Sequence, residues 1–348
     1  MSLLETLGID LPIIQAPMAG VASPALAAAV ANAGALGSIG VGATDADGAS
    51  RMIAEVRARS NRSLHVNVFC HRRPQADAAR EAAWVEYLRP QFEKFGARPP
   101  EHLREIYRSF VDDDAMLAVL VAARPRVVSF HFGLPPAERI RALRAAGIVL
   151  IASATSVAEG RAAAGAGVQA VVAQGYEAGG HRGVFDPEAP DDCLGTFALT
   201  RLLVRELDVP VIAAGGIMDG AGIAAALRLG AAAAQLGTAF IACTESDADA
   251  GYRALLASDA AHHTVMTRAI SGRDARCLAN EFTRLASGVA HRQLPAYPIA
   301  YDAGKALSTA AKAAGETRFG AQWAGQGAPL SRALPAAELI AALVDELR

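Results

Sequence analysis

Eight short apolar runs, most of them separated by one amphipathic, Ala-rich segment, limit most strongly what this chain can fold into. The runs are residues 11–16, 36–41, 64–69, 127–132, 149–153, 170–174, 210–214 and 232–236. They are continuously apolar rather than alternating, which is the pattern of parallel strands covered by helices on both faces. The segments between them carry helix signals. Ser23-Pro24 offers a cap and a proline at the first helical position, with Gly34 as the stop. A second helix is expected to start near Asp45, another at Pro135-Pro136, and Ser156-x-x-Glu159 reads as a capping box. Eight strand–helix units predict an α/β fold, a (β/α)8 TIM barrel rather than an open sheet. Residues 71–126 and 263–348 exceed a minimal barrel. They are expected to form a second, mainly helical lobe over the barrel mouth, leaving 1–70 and 127–262 as the barrel.

Composition excludes several classes. The 348 residues are 52% hydrophobic and 20% charged, so the chain can bury a large core and is not disordered. A net charge of −2 gives no footprint for nucleic acid or an anionic membrane. The N-terminus lacks a basic stretch followed by an apolar run, and the longest apolar runs are broken by Arg and Gly. Neither a signal peptide nor a membrane span is therefore expected, and the predicted location is cytoplasmic. Cys70, Cys193, Cys243 and Cys277 stand far apart without C-x-x-C, and His262-His263 have no Asp or Cys at ligand spacing, so no metal is expected. The lysines, Lys94, Lys305 and Lys312, all fall outside the strands, which removes Schiff-base chemistry at a strand end.

The active face of such a barrel lies at the C-terminal ends of its strands. Gly215-Gly216 after the seventh strand and Gly237 after the eighth let backbone N–H groups approach an anion, as in the common barrel phosphate site. G-x-G-x-x-G and the P-loop pattern are missing. The sixth strand ends at Gln174 and runs into a loop with four glycines, Glu177, His181 and Arg182. Histidine exchanges a proton near neutral pH, and its place beside the phosphate turns makes His181 the candidate acid–base residue. His131, also at a strand end, could be a ligand contact or a packed core histidine, whereas His65 lies within a strand and reads as structural. There is no G-x-S-x-G elbow for a serine nucleophile.

At these residues the chain resembles the class I branch of the flavin-dependent nitronate monooxygenases, formerly called 2-nitropropane dioxygenases. The likeness rests on PIIQAPMAG (12–20), NVF (67–69), SFHFG (129–133) and QGYEAGGHRG (174–183). AAGGI (213–217), QLGTAF (235–240), SGRDAR (271–276) and WAGQGAPLSR (323–332) extend it over nearly the whole chain. The resemblance implies a non-covalent FMN at the barrel mouth. By it, Met18 and Asn67 contact the ring, Gln174 and Gly179 line it, and Gly215, Gly216, Gln235, Gly237 and Thr238 hold the phosphate end. Ala16, Pro17, Gly180 and Leu236 complete the cofactor set, His131 and Tyr301 face the substrate, and His181 takes the catalytic position. The implied reaction oxidises an alkyl nitronate, or a nitroalkane, with O2 to a carbonyl compound and nitrite; propionate 3-nitronate and 2-nitropropane are examples. A homodimer is the expected assembly. Asp274 departs from the family, which commonly has proline there. Two rivals remain: a flavin-type NAD(P)H-dependent enoyl-acyl-carrier-protein reductase, which EAGGHRG disfavours, and a non-catalytic FMN-binding barrel.

Overall fold

The computed structural model describes residues 2–347, so the expected outer limits at residues 1 and 348 lie outside the described residues. The strands are β1 (Ile13–Gln15), β2 (Gly37–Gly40), β3 (Leu64–Phe69), β4 (Val127–His131), β5 (Val149–Ala154), β6 (Ala170–Gln174), β7 (Gly180–His181), β8 (Val211–Ala214), β9 (Ala233–Leu236), β10 (Thr264–Thr267) and β11 (Ala275–Leu278). Eight of them form one parallel sheet in the order β1-β9-β8-β6-β5-β4-β3-β2. A bridge between Ile14 and Leu36, just ahead of β2, closes this sheet into the expected barrel. The remaining three, β10-β11-β7, make a small antiparallel sheet. Through it the loop after β6 is tied to the C-terminal third of the chain: His181 pairs with Ala275 and Gly180 with Arg276.

The caps form as the sequence suggests, with one exception. Ser23 Oγ accepts from Leu26 N, and the Asp45 carboxylate from Gly48 N at 2.7 Å. Ser156 Oγ accepts from Glu159 N at 3.2 Å, but Glu159 does not close the box. Its carboxylate instead takes Thr155 N at 2.6 Å and Phe185 N at 2.7 Å, bracing the end of β5 against the loop beyond β7. Together with Thr155 Oγ1, these donors outcompete the single Ser156 amide that a capping box would have satisfied.

The expected division into barrel and lobe changes at two helices. Ala78–Lys94 packs on Ile299–Ala313 in a core built around Trp84, Leu88, Phe92, Phe282 and Leu307, outside the barrel. Asp114–Ala123, however, packs between the barrel helices Ala46–Arg59 and Ala137–Ala145, so the end of 71–126 belongs to the barrel wall. Likewise Ala336–Leu347 returns to the barrel and covers Pro24–Asn32 and Gly220–Arg228 with Leu339, Ile340 and Leu343. The reason is coverage: the helix after β9, Thr238–Ile241, has four residues and leaves apolar surface that the last helix buries. Among the described residues no helix is long and apolar enough to cross a membrane.

Candidate active site

A cavity opens at the C-terminal ends of the barrel strands, roofed by the lobe. Ala16, Pro17, Met18, Asn67, His131, Gln174, Gly179, Gly180, His181, Gly215, Gly216, Gln235, Gly237, Thr238 and Tyr301 all line it. Leu236 does not. Successive strand residues face opposite sides, so Gln235 points inward while the Leu236 side chain joins the outer core of Ile13, Leu26 and Phe240. Leu236 contributes only its carbonyl, which accepts from Ala16 N at 2.8 Å and so fixes the β1 end of the site.

Glycines shape the end of the cavity at β8 and β9. Gly215 and Gly216 have φ of +120° and +71°, conformations that side-chain-bearing residues rarely adopt. A Cβ on Gly215 would also lie 2.7 Å from Thr196 Oγ1. A Cβ on Gly237 would meet only Ala16 Cβ at 3.4 Å and Met18 Sδ at 3.7 Å, so there the backbone simply borders open space. No Asp, Glu, Lys or Arg lines the cavity among the described residues. An anion there would be met by backbone N–H groups, with no lining carboxylate to repel it.

The sequence reading missed the opposite wall. Residues 323–327 pass directly over the segments that follow β6 and β9: Gly325 N donates to Thr238 Oγ1 at 3.0 Å and Gln326 N to Glu177 O at 2.9 Å. The approach is so close that a Cβ on Gly179 would sit 2.5 Å from Gly325 N. Trp323, Tyr297 and Phe132 join this wall. The Gly325-x-Gly327 pair within WAGQGAPLSR was the available signal, since paired glycines mark close backbone approach.

His181 is enclosed by the rings of Phe132, Tyr297 and Trp323, with centroids 5.0–5.6 Å away. Its Nε2 lies 2.9 Å from Ser271 Oγ, and that hydroxyl donates to the carbonyl of Arg273 at 3.1 Å. Ser271 oxygen therefore accepts from His181 Nε2–H, which leaves the lone pair on Nδ1. The His181 carbonyl is clamped by two donors, Gln174 Nε2 at 2.9 Å and His131 Nε2 at 3.2 Å. A carbonyl only accepts, so His131 carries its proton on Nε2, and its Nδ1 accepts from Ser153 Oγ at 3.0 Å. His131 is thus both a cavity residue and a hydrogen-bonded core histidine. Burial pushes its pKa down to about 4. Burial also holds His181 well below the ordinary histidine value, with His131, Arg273 and His71 adding to the effect. Both rings are neutral at pH 7.

Three other groups complete the picture. Tyr297 Oη is buried without a partner among the described residues, and burial raises its pKa. Tyr301 is pushed up to about 12 by the same cause, so both phenols stay protonated. Glu177 is turned away from the cavity: its carboxylate accepts from Thr196 N at 2.7 Å and Thr196 Oγ1 at 2.9 Å. In this way it caps the helix Thr196–Glu206, whose own N-cap is Gly195. Asp274 lies behind the site, where its carbonyl accepts from Arg182 N and its carboxylate from Arg268 Nε.

A model of the family described as nitronate monooxygenase matches residues 1–346. A nitronate monooxygenase of Paraburkholderia phytofirmans is 63% identical over 100% of this chain and 95% of its own length. Among solved structures, the nitroalkane oxidase of Streptomyces ansochromogenes superposes with a TM-score of 0.89 at 40% identity, covering 100% of this chain and 98% of that one. FabK from Thermotoga maritima follows with a TM-score of 0.76 at 30% identity, covering 99% and 95%. With a family match over nearly every residue and a relative this similar from end to end, the chain belongs to the nitronate monooxygenase family.

Proposed function

We propose that this protein binds FMN in the cavity and oxidises alkyl nitronates with O2, and that it accepts neutral nitroalkanes through prior removal of a proton by His181. The observation that carries this reading is the neutral His181, with a lone pair on Nδ1, inside a cavity where histidine and tyrosine are the only titratable side chains among the described residues. FMN suits the donor set. The glycine turns at Gly215, Gly216 and Gly237 suit its phosphate end, while Met18, Asn67 and Gln174 offer an apolar and amide surface to a flat ring. When bound, FMN would supply the acceptance of an electron from the nitronate, with O2 completing the conversion to a carbonyl compound and nitrite.

This chain's own groups bind, orient and move the proton. His181 Nδ1 takes the proton from the carbon beside the nitro group, and Ser271 keeps Nε2–H pointed away so that the basic nitrogen cannot exchange roles. The Tyr297 hydroxyl, a buried donor with no partner among the described residues, is free to donate to a nitro oxygen. The aromatic walls of Phe132, Tyr301 and Trp323 exclude water from the reacting atoms.

Anaerobic mixing of flavin-loaded protein tests the reading. Bleaching of the flavin by a nitronate but not by NADH supports it, bleaching by NADH supports the reductase, and no bleaching by any substrate supports the non-catalytic barrel. A second expectation follows from Glu177. Because its carboxylate is committed to the helix cap, Glu177→Ala should lower stability by about 1–2 kcal/mol in chemical denaturation. Turnover of a neutral nitroalkane by the folded, flavin-matched variant should stay within about twofold of the wild type; a loss comparable with general-base removal would make Glu177 the base.

A further inference from the structure

Beneath the cavity a string of buried polar side chains crosses three adjacent barrel strands: Ser38 on β2, His65 and Asn67 on β3, and Ser129 on β4. Only Asn67 and Ser129 reach the cavity; His65 and Ser38 do not line it. Apolar side chains ordinarily fill a barrel interior, so an imidazole at this depth needs a reason. We propose that His65 is a positioning residue that acts through Ser129 to hold the Asn67 amide with Oδ1 toward the bound cofactor, an inference that rests on the FMN reading above.

The hydrogen bonds fix the Asn67 end of this string, and the proposed role of His65 sets the protons of the rest. Asn67 Nδ2 lies 3.3 Å from the backbone carbonyl of Ser129, which can only accept, so the amide nitrogen is the end turned toward Ser129. The same Nδ2 donates to Ser129 Oγ at 2.8 Å. Asn67 Nδ2 occupies one of the hydroxyl's two lone pairs, and we assign the hydroxyl's own proton to His65 Nε2 at 2.6 Å. His65 therefore carries its remaining proton on Nδ1 and donates it to Ser38 Oγ at 2.8 Å. Ser38 is held in turn from its backbone, where its N–H donates to Gln15 Oε1 at 2.9 Å.

Every link points the same way. The outcome is an Asn67 whose Oδ1 is the atom left to the cavity, as an acceptor for an N–H of a bound ring. Burial lowers the pKa of His65 to about 3, so the imidazole stays neutral and the acceptor at Nε2 persists throughout the working pH range. Without that acceptor the Ser129 hydroxyl is free to rotate and compete as a donor with Asn67 Nδ2, so the amide is held by the Ser129 carbonyl alone and its Oδ1 is less firmly directed at the cavity.

A double-mutant cycle read on FMN binding tests this, using purified full-length protein stripped of flavin and titrated with FMN. His65→Leu should weaken FMN binding about tenfold and shift the visible absorbance maxima of the bound flavin, the loss expected when one hydrogen bond to the ring is no longer held in place. In an Asn67→Ala background the same substitution should change the dissociation constant by less than about twofold, because the side chain it acts through is gone. His65→Gln, whose side-chain carbonyl can accept from Ser129, should restore binding to within about threefold. Ser129→Ala, which reaches the same amide without altering His65, supplies the cycle if His65→Leu unfolds; thermal unfolding of each apo-protein separates the two. Equal losses with and without Asn67, or no loss in the wild-type background, would overturn the inference alone. Failure of the wild type to bind FMN at all would overturn the cofactor reading and this inference with it.

Discussion

Replacing His181 with asparagine should lower kcat/KM for a neutral nitroalkane by roughly 10²–10⁴-fold, the usual range for loss of a general base. Asparagine keeps a polar side chain on β7 but offers no basic nitrogen, and Glu177, the nearest carboxylate in the loop, is occupied as a helix cap. A pre-formed nitronate has already lost the proton, so its oxidation should fall far less, through lost orientation alone. Steady-state rates on both substrate forms, at matched flavin content, check this directly. Equal losses would make His181 a binding residue, and no loss on either would remove it from the reaction. The pH dependence has a defined sign. As the proposed base His181 would work as the neutral imidazole, and burial, followed by His131, Arg273 and His71, lowers its pKa. The acid limb for the neutral substrate should therefore lie below the ordinary histidine value near 6.5, with the base fully available at pH 7. An acid limb at or above that value would contradict the burial argument.

Gly237→Val should give a folded protein that binds FMN about ten- to a hundredfold more weakly, since overpacking a fitted site costs about 1–3 kcal/mol. The backbone there has φ of −107°, which valine tolerates, and the nearest atoms to a new Cβ stand at ordinary contact distance. Flavin titration measures the loss, and thermal unfolding of the apo-protein should change little. Undiminished flavin affinity would refute the assignment of this turn to the phosphate end. Gly215→Val makes a poorer test. It combines a φ of +120° with a collision at Thr196 Oγ1, so loss of colour in that variant would report backbone strain as well as a blocked ligand.

How much of this was legible in the sequence depended on how local each feature is. Buried strands have a compositional signature, and side chains at strand ends inherit their place from the barrel closure, so β3 and β6 fall where the apolar runs do and His181, Asn67 and the glycine turns converge on one cavity. Leu236 was misplaced because a motif read as a string hides the alternation that sends Gln235 inward and its neighbour out. Glu159 and Glu177 look like a capping box and a spare base in sequence; only the fold reveals Phe185 N and Thr196 as their partners.

By itself the sequence determined the barrel, the face on which the cavity opens and most of the residues around it, because these follow from periodicity and strand order. Tertiary structure alone decided which nitrogen of His181 is basic, through Ser271 90 residues away, and how the cavity is roofed, through Gly325 bonded to Thr238 across 87 residues. It also decided that the last helix, rather than the short one after β9, covers that side of the barrel. Such contacts are selected by the shape and unmet hydrogen bonds of surfaces that exist only once the barrel has closed, and no local pattern of residues encodes them.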